Sequence, residues 1–279
     1  MLTLYYLFLF LLGLSVGSFL NVVIDRIPQG KSFIKGRSYC DYCRHQLAWS
    51  DLIPILSFLL LGSRCRYCRN PISWQYPLVE LITGLLFVFA YSYSYSPEIS
   101  LNQSLATLPL PPPSRSPFGH LEGVFIAYLF IIVSGLIVIF FIDLKNRIIP
   151  DQVLLLLLIV SLIYLVLFQS QMLLNHLLSG IILFIIFLAL VVATRGKGMG
   201  LGDVKFSFIM GLLLGFPKII VAFYLSFLTG AIFSLILVIL GKKKMKSTIP
   251  FGPFLAVSTF IALFYGQNLW DFSKGLLGI

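Results

Sequence analysis

The sequence predicts an all-α polytopic membrane protein of about eight transmembrane helices with a small cytoplasmic insert, and three observations carry that prediction. First, 59% of the 279 residues are hydrophobic and only 11% are charged, whereas soluble domains carry about a quarter charged residues. Second, apolar runs of roughly 17–25 residues, the length a helix needs to cross a bilayer, recur along the chain. They are continuous, without the alternation of a lipid-facing β-barrel strand. Third, the basic residues cluster in the connections that would share one side of the membrane.

In chain order the apolar segments run 2–24, 77–96, 122–142, 152–168, 172–194, 204–216, 218–240 and 250–267. The opening "MLTLYYLFLFLLGLSVGSFLNVVIDR" lacks the basic start of a cleaved signal peptide, and its first cation, Arg26, follows the apolar run. That polarity predicts a retained first helix with its N-terminus outside. Eight spans put loops 25–76, 143–151, 195–203 and 241–249 on one side; with Lys205 these hold 17 of the 20 Lys and Arg. Only Arg115, Lys218 and Lys274 remain for the other. The positive-inside rule makes the first side cytoplasmic and leaves both termini outside. The net charge of +10 therefore reads as a topology signal and as contact with anionic membrane lipid. Because these cations flank membrane helices, no nucleic-acid partner is expected. The Pro- and Ser-rich stretch at 97–121 reads as an outer connector, and "YSYSYS" at 91–96 as interfacial aromatic anchoring. The implied organisation is a first helix at 1–24, an insert at 25–76 and a membrane core at 77–279.

The insert holds all four cysteines, as "CDYCRHQLAW" from Cys40 and "CRYCRNPISW" from Cys65. These are two copies of Cys-x-Tyr-Cys-Arg, each ending in a tryptophan, Trp49 or Trp74. Each Cys-x-x-Cys turn aims two thiolates at one point, so Cys40, Cys43, Cys65 and Cys68 can complete a tetrahedral sulfur shell for zinc. A reducing cytoplasm argues against disulfides. Four thiolates leave no open position for water, which makes the zinc structural, and with little apolar sequence of its own the insert is expected to need the metal to fold. His45 could substitute as a ligand, but reads better as a polar residue beside the knuckle. His120 and His176 are isolated and read as structural.

The chain has ten acidic residues, so those at helix boundaries stand out. "FFIDLKNRIIPD" puts Asp143 at the end of the third span and Asp151 at the start of the fourth; "GMGLGDVKF" puts Asp203 at the start of the sixth. Asp151 follows Pro150 and suits an N-cap. Asp203 could be a cap too, although Gly198, Gly200 and Gly202 around it suggest close approach of a helix or an extended peptide. Asp143 has the weakest structural excuse, since a carboxylate at a helix C-terminus opposes the macrodipole. The two open readings are helix-end acids and an Asp143–Asp203 dyad. In a dyad one carboxyl keeps its proton while the other activates water, which is the chemistry of peptide hydrolysis without a covalent intermediate. A non-enzymatic carrier with a metal-sensing module is the rival class, but the glycine-rich break at 198–202 has no counterpart in the first half of the chain.

"GSFLNVVIDRIP" (17–28), the paired Cys-x-x-Cys insert, "YPLVELITG" (76–84), Asp143 to Asp151, "GMGLGDVK" (198–205) and "PFGPFLA" (250–256) occur in the order found in the bacterial type IV prepilin peptidases. The chain resembles that family of GxGD-type aspartic peptidases and N-methyltransferases over nearly its whole length. The resemblance implies that Asp143 and Asp203 are the catalytic aspartates, with Gly200 and Gly202 the glycines of the supporting motif. It implies a bacterial inner-membrane enzyme whose substrates are prepilins or pseudopilins. Their short basic leader is cut on the cytoplasmic side, after a glycine, and bifunctional members then methylate the new N-terminus with S-adenosylmethionine. A peptidase without methyl transfer is the alternative, for no Gly-x-Gly nucleotide motif is visible. The family often has glycine two residues before the third cysteine, where this chain has Ser63. Glu80, Asn21 and Asp25 are candidates for the second site.

Overall fold

The computed structural model describes residues 2–94, 120–196, 198–241 and 249–277. The stretch at 97–119, the tail of "YSYSYS", Arg115 and the lysines at 242–246 lie outside the described residues, as does the side chain of His120. Among the described residues the structure is helical, with two isolated β-bridges and no strand. The helices are α1 (Leu2–Arg26), α2 (Leu56–Leu60), α3 (Gln75–Ser94), α4 (His120–Asn146), α5 (Asp151–Phe168), α6 (Leu173–Ala193), α7 (Leu201–Leu214), α8 (Lys218–Ile239) and α9 (Gly252–Leu277). Six segments are long and apolar enough to span a bilayer, and they belong to α1, α3, α4, α5, α6 and α8. Two of the eight expected spans do not qualify. α7 is only 14 residues long, and α9 carries Gln267, Asn268, Asp271 and Lys274 in its C-terminal half.

The chain forms two compact units, Met1–Ser96 with Leu129–Val138, and Pro97–Tyr128 with Ile139–Ile279. In the first, α1 and α3 pair along their length because small residues let the backbones approach. A Cβ on Gly13 would stand 2.7 Å from Gly84 Cα, and one on Gly17 would stand 2.6 Å from Glu80 Cα. Further along, Asn21 Nδ2 donates to the Tyr76 carbonyl at 3.0 Å. The three levels 13/84, 17/80 and 21/76 define one antiparallel register. The middle of α4 joins this unit, with Phe130 stacked on Phe87 at 4.0 Å.

In the second unit α7 is the centre. It packs against α5, α6, α8 and α9, and every residue from Val204 to Leu214 except Lys205 and Phe208 is buried. A short helix that is apolar all round belongs inside a bundle, which is why it need not reach bilayer length. Gly215, at φ +62, ends it, followed by Pro217 before α8 begins.

The insert departs from expectation in one respect. Between the cysteine pairs, Leu52–Leu61 is strongly apolar, and it forms α2, with Phe58 buried against Trp74 at 4.9 Å. The insert thus has apolar structure of its own.

Candidate active site

The second unit buries two acids. Asp143, in the last turn of α4, is 5% exposed, and Asp203, in the first turn of α7, is 8% exposed. Asp203 lies within electrostatic reach of Asp143. The connection between α4 and α5 supports both. α4 ends when Arg147 takes φ +57 and its N–H closes onto the Asp143 carbonyl at 2.9 Å. The following Ile149 then lies under Gly202, where a Cβ would come within 3.1 Å of the Ile149 side chain.

Each carboxylate is held by one backbone N–H. Asp203 Oδ2 accepts from Gly200 N–H at 3.0 Å, so Asp203 satisfies a free donor at the start of its own helix. Asp143 Oδ2 accepts from Gly252 N–H at 2.9 Å, the first residue of α9. The first N–H groups of a helix lack intrahelical partners and carry partial positive charge. Asp143 therefore ends one helix but caps another, which answers the objection that it opposes its own macrodipole. Among the described residues the second oxygen of each acid accepts no hydrogen bond. Gly252 was quoted in the sequence only as part of a motif. Its role emerges here, since a Cβ on it would stand 2.7 Å from Asp143 Oδ2 and 2.9 Å from Cγ. The visible signal was a glycine between two prolines, Pro250 and Pro253, where a helix starts.

Gly200 differs from Gly202. Its backbone is ordinary, at φ −85, and the nearest atom to an added Cβ is Asp203 Oδ2 at 3.6 Å. The fold alone leaves room for a side chain there. Asp151 is the first residue of α5 and makes no side-chain cap, contrary to the sequence expectation. It is exposed and pairs with Lys205, whose Nζ reaches both oxygens at 2.8 and 2.9 Å.

The cysteine motifs repeat bond for bond in the first unit. Cys40 N–H donates to His45 O, Arg44 N–H to Cys40 O and Leu47 N–H to Ser38 O. Twenty-five residues on, Cys65, Arg69 and Ile72 donate to Asn70, Cys65 and Ser63 in the same way. Arg44 and Arg69 share a positive φ, 58 and 61, which turns each chain back so that both thiols of a pair face inward. The four Sγ atoms lie within 4.8 Å of one another, and Cys40 and Cys68 are 3.8 Å apart. Zn–S bonds of about 2.3 Å in a tetrahedron need sulfurs about 3.8 Å apart, so the donor set fits a metal. Burial opposes ionisation of Cys65, but the N–H groups of Cys68 and Tyr67 and the neighbouring thiols outweigh it and bring the thiol down to about 7. Asp51 ties the knuckles together, accepting from Ala48 N–H and pairing with Arg66 at 2.6 Å. His45 packs on Tyr67 with ring centroids 3.7 Å apart and the planes tilted by 35°, consistent with a residue beside the knuckle. His176 is buried, with Nδ1 2.7 Å from the Leu212 carbonyl.

The remaining candidates also lie in the first unit and are mostly committed. Asp25 accepts from Tyr76 Oη at 2.8 Å, and Glu80 accepts from Ile55 N–H at 2.8 Å. Asn21 Oδ1 is buried without a partner among the described residues. One orphaned oxygen does not by itself define a nucleoside pocket, and no residue is assigned to S-adenosylmethionine from these contacts.

Residues 11–94 match the bacterial peptidase A24 N-terminal domain, and residues 130–235 match the type IV leader peptidase family. The first stretch contains the four cysteines and the second both buried aspartates. A prepilin leader peptidase/N-methyltransferase of Aeromonas salmonicida (strain A449) is 31% identical over 95% of this chain and 92% of its own length. One from Bacillus subtilis (strain 168) is 30% identical over 95% and 96%. One from Myxococcus xanthus (strain DK1622) is 52% identical, over 30% of this chain and 25% of its own. No solved structure gives a significant match. With both family models matched in order, and relatives aligned over nearly the whole chain, the protein belongs to the type IV leader peptidase family.

Proposed function

We propose that this protein removes the basic leader from type IV prepilins or pseudopilins, with Asp143 and Asp203 as the catalytic pair, and methylates the exposed N-terminus. The observation that carries the first half is the pair itself. Two buried carboxyls from different helices lie within electrostatic reach, each held through one oxygen by a backbone N–H. Two such groups cannot both ionise easily, so one keeps its proton. The ionised member takes a proton from water as the water oxygen attacks the scissile carbonyl carbon, while the other gives its proton to the carbonyl oxygen. When the resulting diol collapses, the carbon–nitrogen bond breaks. The proton taken from water passes to the departing amine, and a diol proton restores the second acid.

On this reading the pair works at the cytoplasmic face of an inner membrane with both termini outside, which the positive-inside charge pattern supports. Gly200 lies open beside Asp203, so an extended substrate backbone can approach there. The thiol cluster of Cys40, Cys43, Cys65 and Cys68 holds a structural zinc. The methyl-transfer half rests on the names of the relatives; S-adenosylmethionine would supply the methyl group, and no residue here is assigned to it. Incubating the purified protein with a prepilin and S-adenosylmethionine, then weighing the product, tests both halves separately. Loss of the leader mass reports cleavage, and gain of one methyl mass reports transfer. A prepilin that returns intact would refute the reading.

A further inference from the structure

The insert carries an apolar surface that the peptidase reading does not use. Along Trp49–Leu61, Leu56, Leu59 and Leu60 are exposed, Leu60 at 77%, and Trp49 and Trp74 flank them at 79% and 68%. Exposed apolar side chains gathered on one short segment point to a protein or membrane contact. Its depth decides which. The segment enters α2 through a γ-turn at Ile55, where Leu56 N–H closes onto the Pro54 carbonyl. Ile55 has φ +60, a conformation unfavourable for a β-branched residue that persists only where surroundings impose it. Here the constraint is Glu80, whose Oε2 accepts the Ile55 N–H at 2.8 Å.

Glu80 is not at the mouth of α3. It sits five residues inside a helix that begins at Gln75, about 7.5 Å along the axis, level with Gly17 of α1. Its side chain leans toward the helix N-terminus, which returns part of that distance. α2 therefore starts alongside the first two turns of α3, not beyond its end. At that depth α3 itself exposes Leu78 and Leu81, so this level of a spanning helix has an apolar surround, and the exposed leucines of α2 start at the same level. Arg64 and Arg69 follow directly in the sequence, cations of the kind that reach lipid phosphates from an interfacial segment, while Arg66 is held by Asp51. A cleft of about 540 Å³ at the end of α1 is lined by Arg26, Lys31, Lys35, Arg37 and Arg44, with no acidic residue in its wall.

We propose that α2 lies within the bilayer interface, with Leu56, Leu59 and Leu60 in the acyl boundary of the leaflet where α1 ends. The insert is then seated in phospholipid, and its metal knuckles are held at a fixed height on the membrane. This inference rests only on α1 and α3 spanning the bilayer, not on the peptidase assignment. The test uses the full chain with zinc, reconstituted in phosphatidylglycerol-containing vesicles, with Leu60→Trp introduced after Trp49, Trp74 and Trp270 are each replaced by Phe. Blue-shifted emission that lipid brominated near the carbonyl strongly quenches, and acrylamide does not, is the expected result. Red-shifted emission quenched by acrylamide overturns the proposal, because the patch then faces water. Blue-shifted emission indifferent to brominated lipid also overturns it, because protein then covers the patch. Should that variant fail to fold, Trp270→Phe alone leaves Trp49 and Trp74 to give the same readout.

Discussion

Substituting Gly252 by alanine should cost activity out of proportion to stability. The added Cβ would stand 2.7 Å from Asp143 Oδ2, 2.9 Å from Cγ and 3.1 Å from Cβ, whereas unstrained carbon contacts are about 3.5–4.0 Å. Relief requires a relative movement of roughly 0.5–1 Å at Asp143. In the core of a bundle, overpacking by one methyl costs about 1–3 kcal/mol, which a folded protein can survive. Catalytic geometry is less forgiving, since a displacement of about 1 Å can cost about 10²-fold in rate. Gly252→Ala is therefore expected to insert normally, keep its zinc and lower kcat for leader cleavage by about 10²-fold, with a modest fall in Tm. The assay is prepilin cleavage in detergent, beside thermal unfolding and metal content. Near-normal cleavage by Gly252→Ala, with Asp143→Asn inactive, would refute the positioning argument while leaving the dyad standing. Activity in both variants would remove the dyad as well.

Asp143→Asn and Asp203→Asn should each lower cleavage by about 10²–10⁴-fold, and the double variant should be no worse, because groups acting as one unit are not additive; a clearly additive double would show that they act separately. Gly200→Ala should leave unfolding unchanged, since the nearest atom to its Cβ is 3.6 Å away, while weakening cleavage; unchanged KM and kcat would show that substrate does not pass there. Cys40→Ser or Cys68→Ser should lower bound zinc and loosen the insert to proteolysis, and metal analysis finding no zinc in the reduced parent protein would remove the metal centre. Reporter fusions after Arg69, Lys145 and Lys244 should read cytoplasmic and one after Ser114 external; a cytoplasmic signal at Ser114 overturns the topology.

What the sequence made legible were features carried by local chemistry. The helical, membrane-bound class follows from apolar run length, and the thiol cluster from a duplicated spacing, so both could be read one residue at a time. The features that escaped depend on partners distant in sequence. Gly252 looks like an ordinary helix-start glycine until α9 is laid against Asp143, 109 residues earlier. Leu52–Leu61 is too short for a span, so run length does not single it out, and its depth depends on Glu80, 25 residues beyond Ile55. Asp151 sits at a good capping position by sequence, yet its carboxylate is drawn to Lys205, 54 residues away.

Asp203 shows why reading a helix-end acid as either a cap or a catalyst is a false choice. A carboxylate has two oxygens, and capping uses one. Oδ2 of Asp203 holds Gly200 N–H, and Oδ2 of Asp143 holds Gly252 N–H, so both acids are fixed at helix N-termini. There the backbone dipole favours their charge, and each retains an oxygen that accepts nothing from the described residues. The cap supplies rotational restraint on the side chain, which a catalytic acid needs more than a structural one does, because the attacking water must be held to within about 0.5 Å. The Gly200-Leu201-Gly202-Asp203 sequence meets three demands at once. Gly202 lets α7 close on Ile149, Asp203 secures its own helix start, and Gly200 leaves the space beside the carboxylate open, where the proposed mechanism brings the peptide. A purely structural reading would explain the first two demands but not the third.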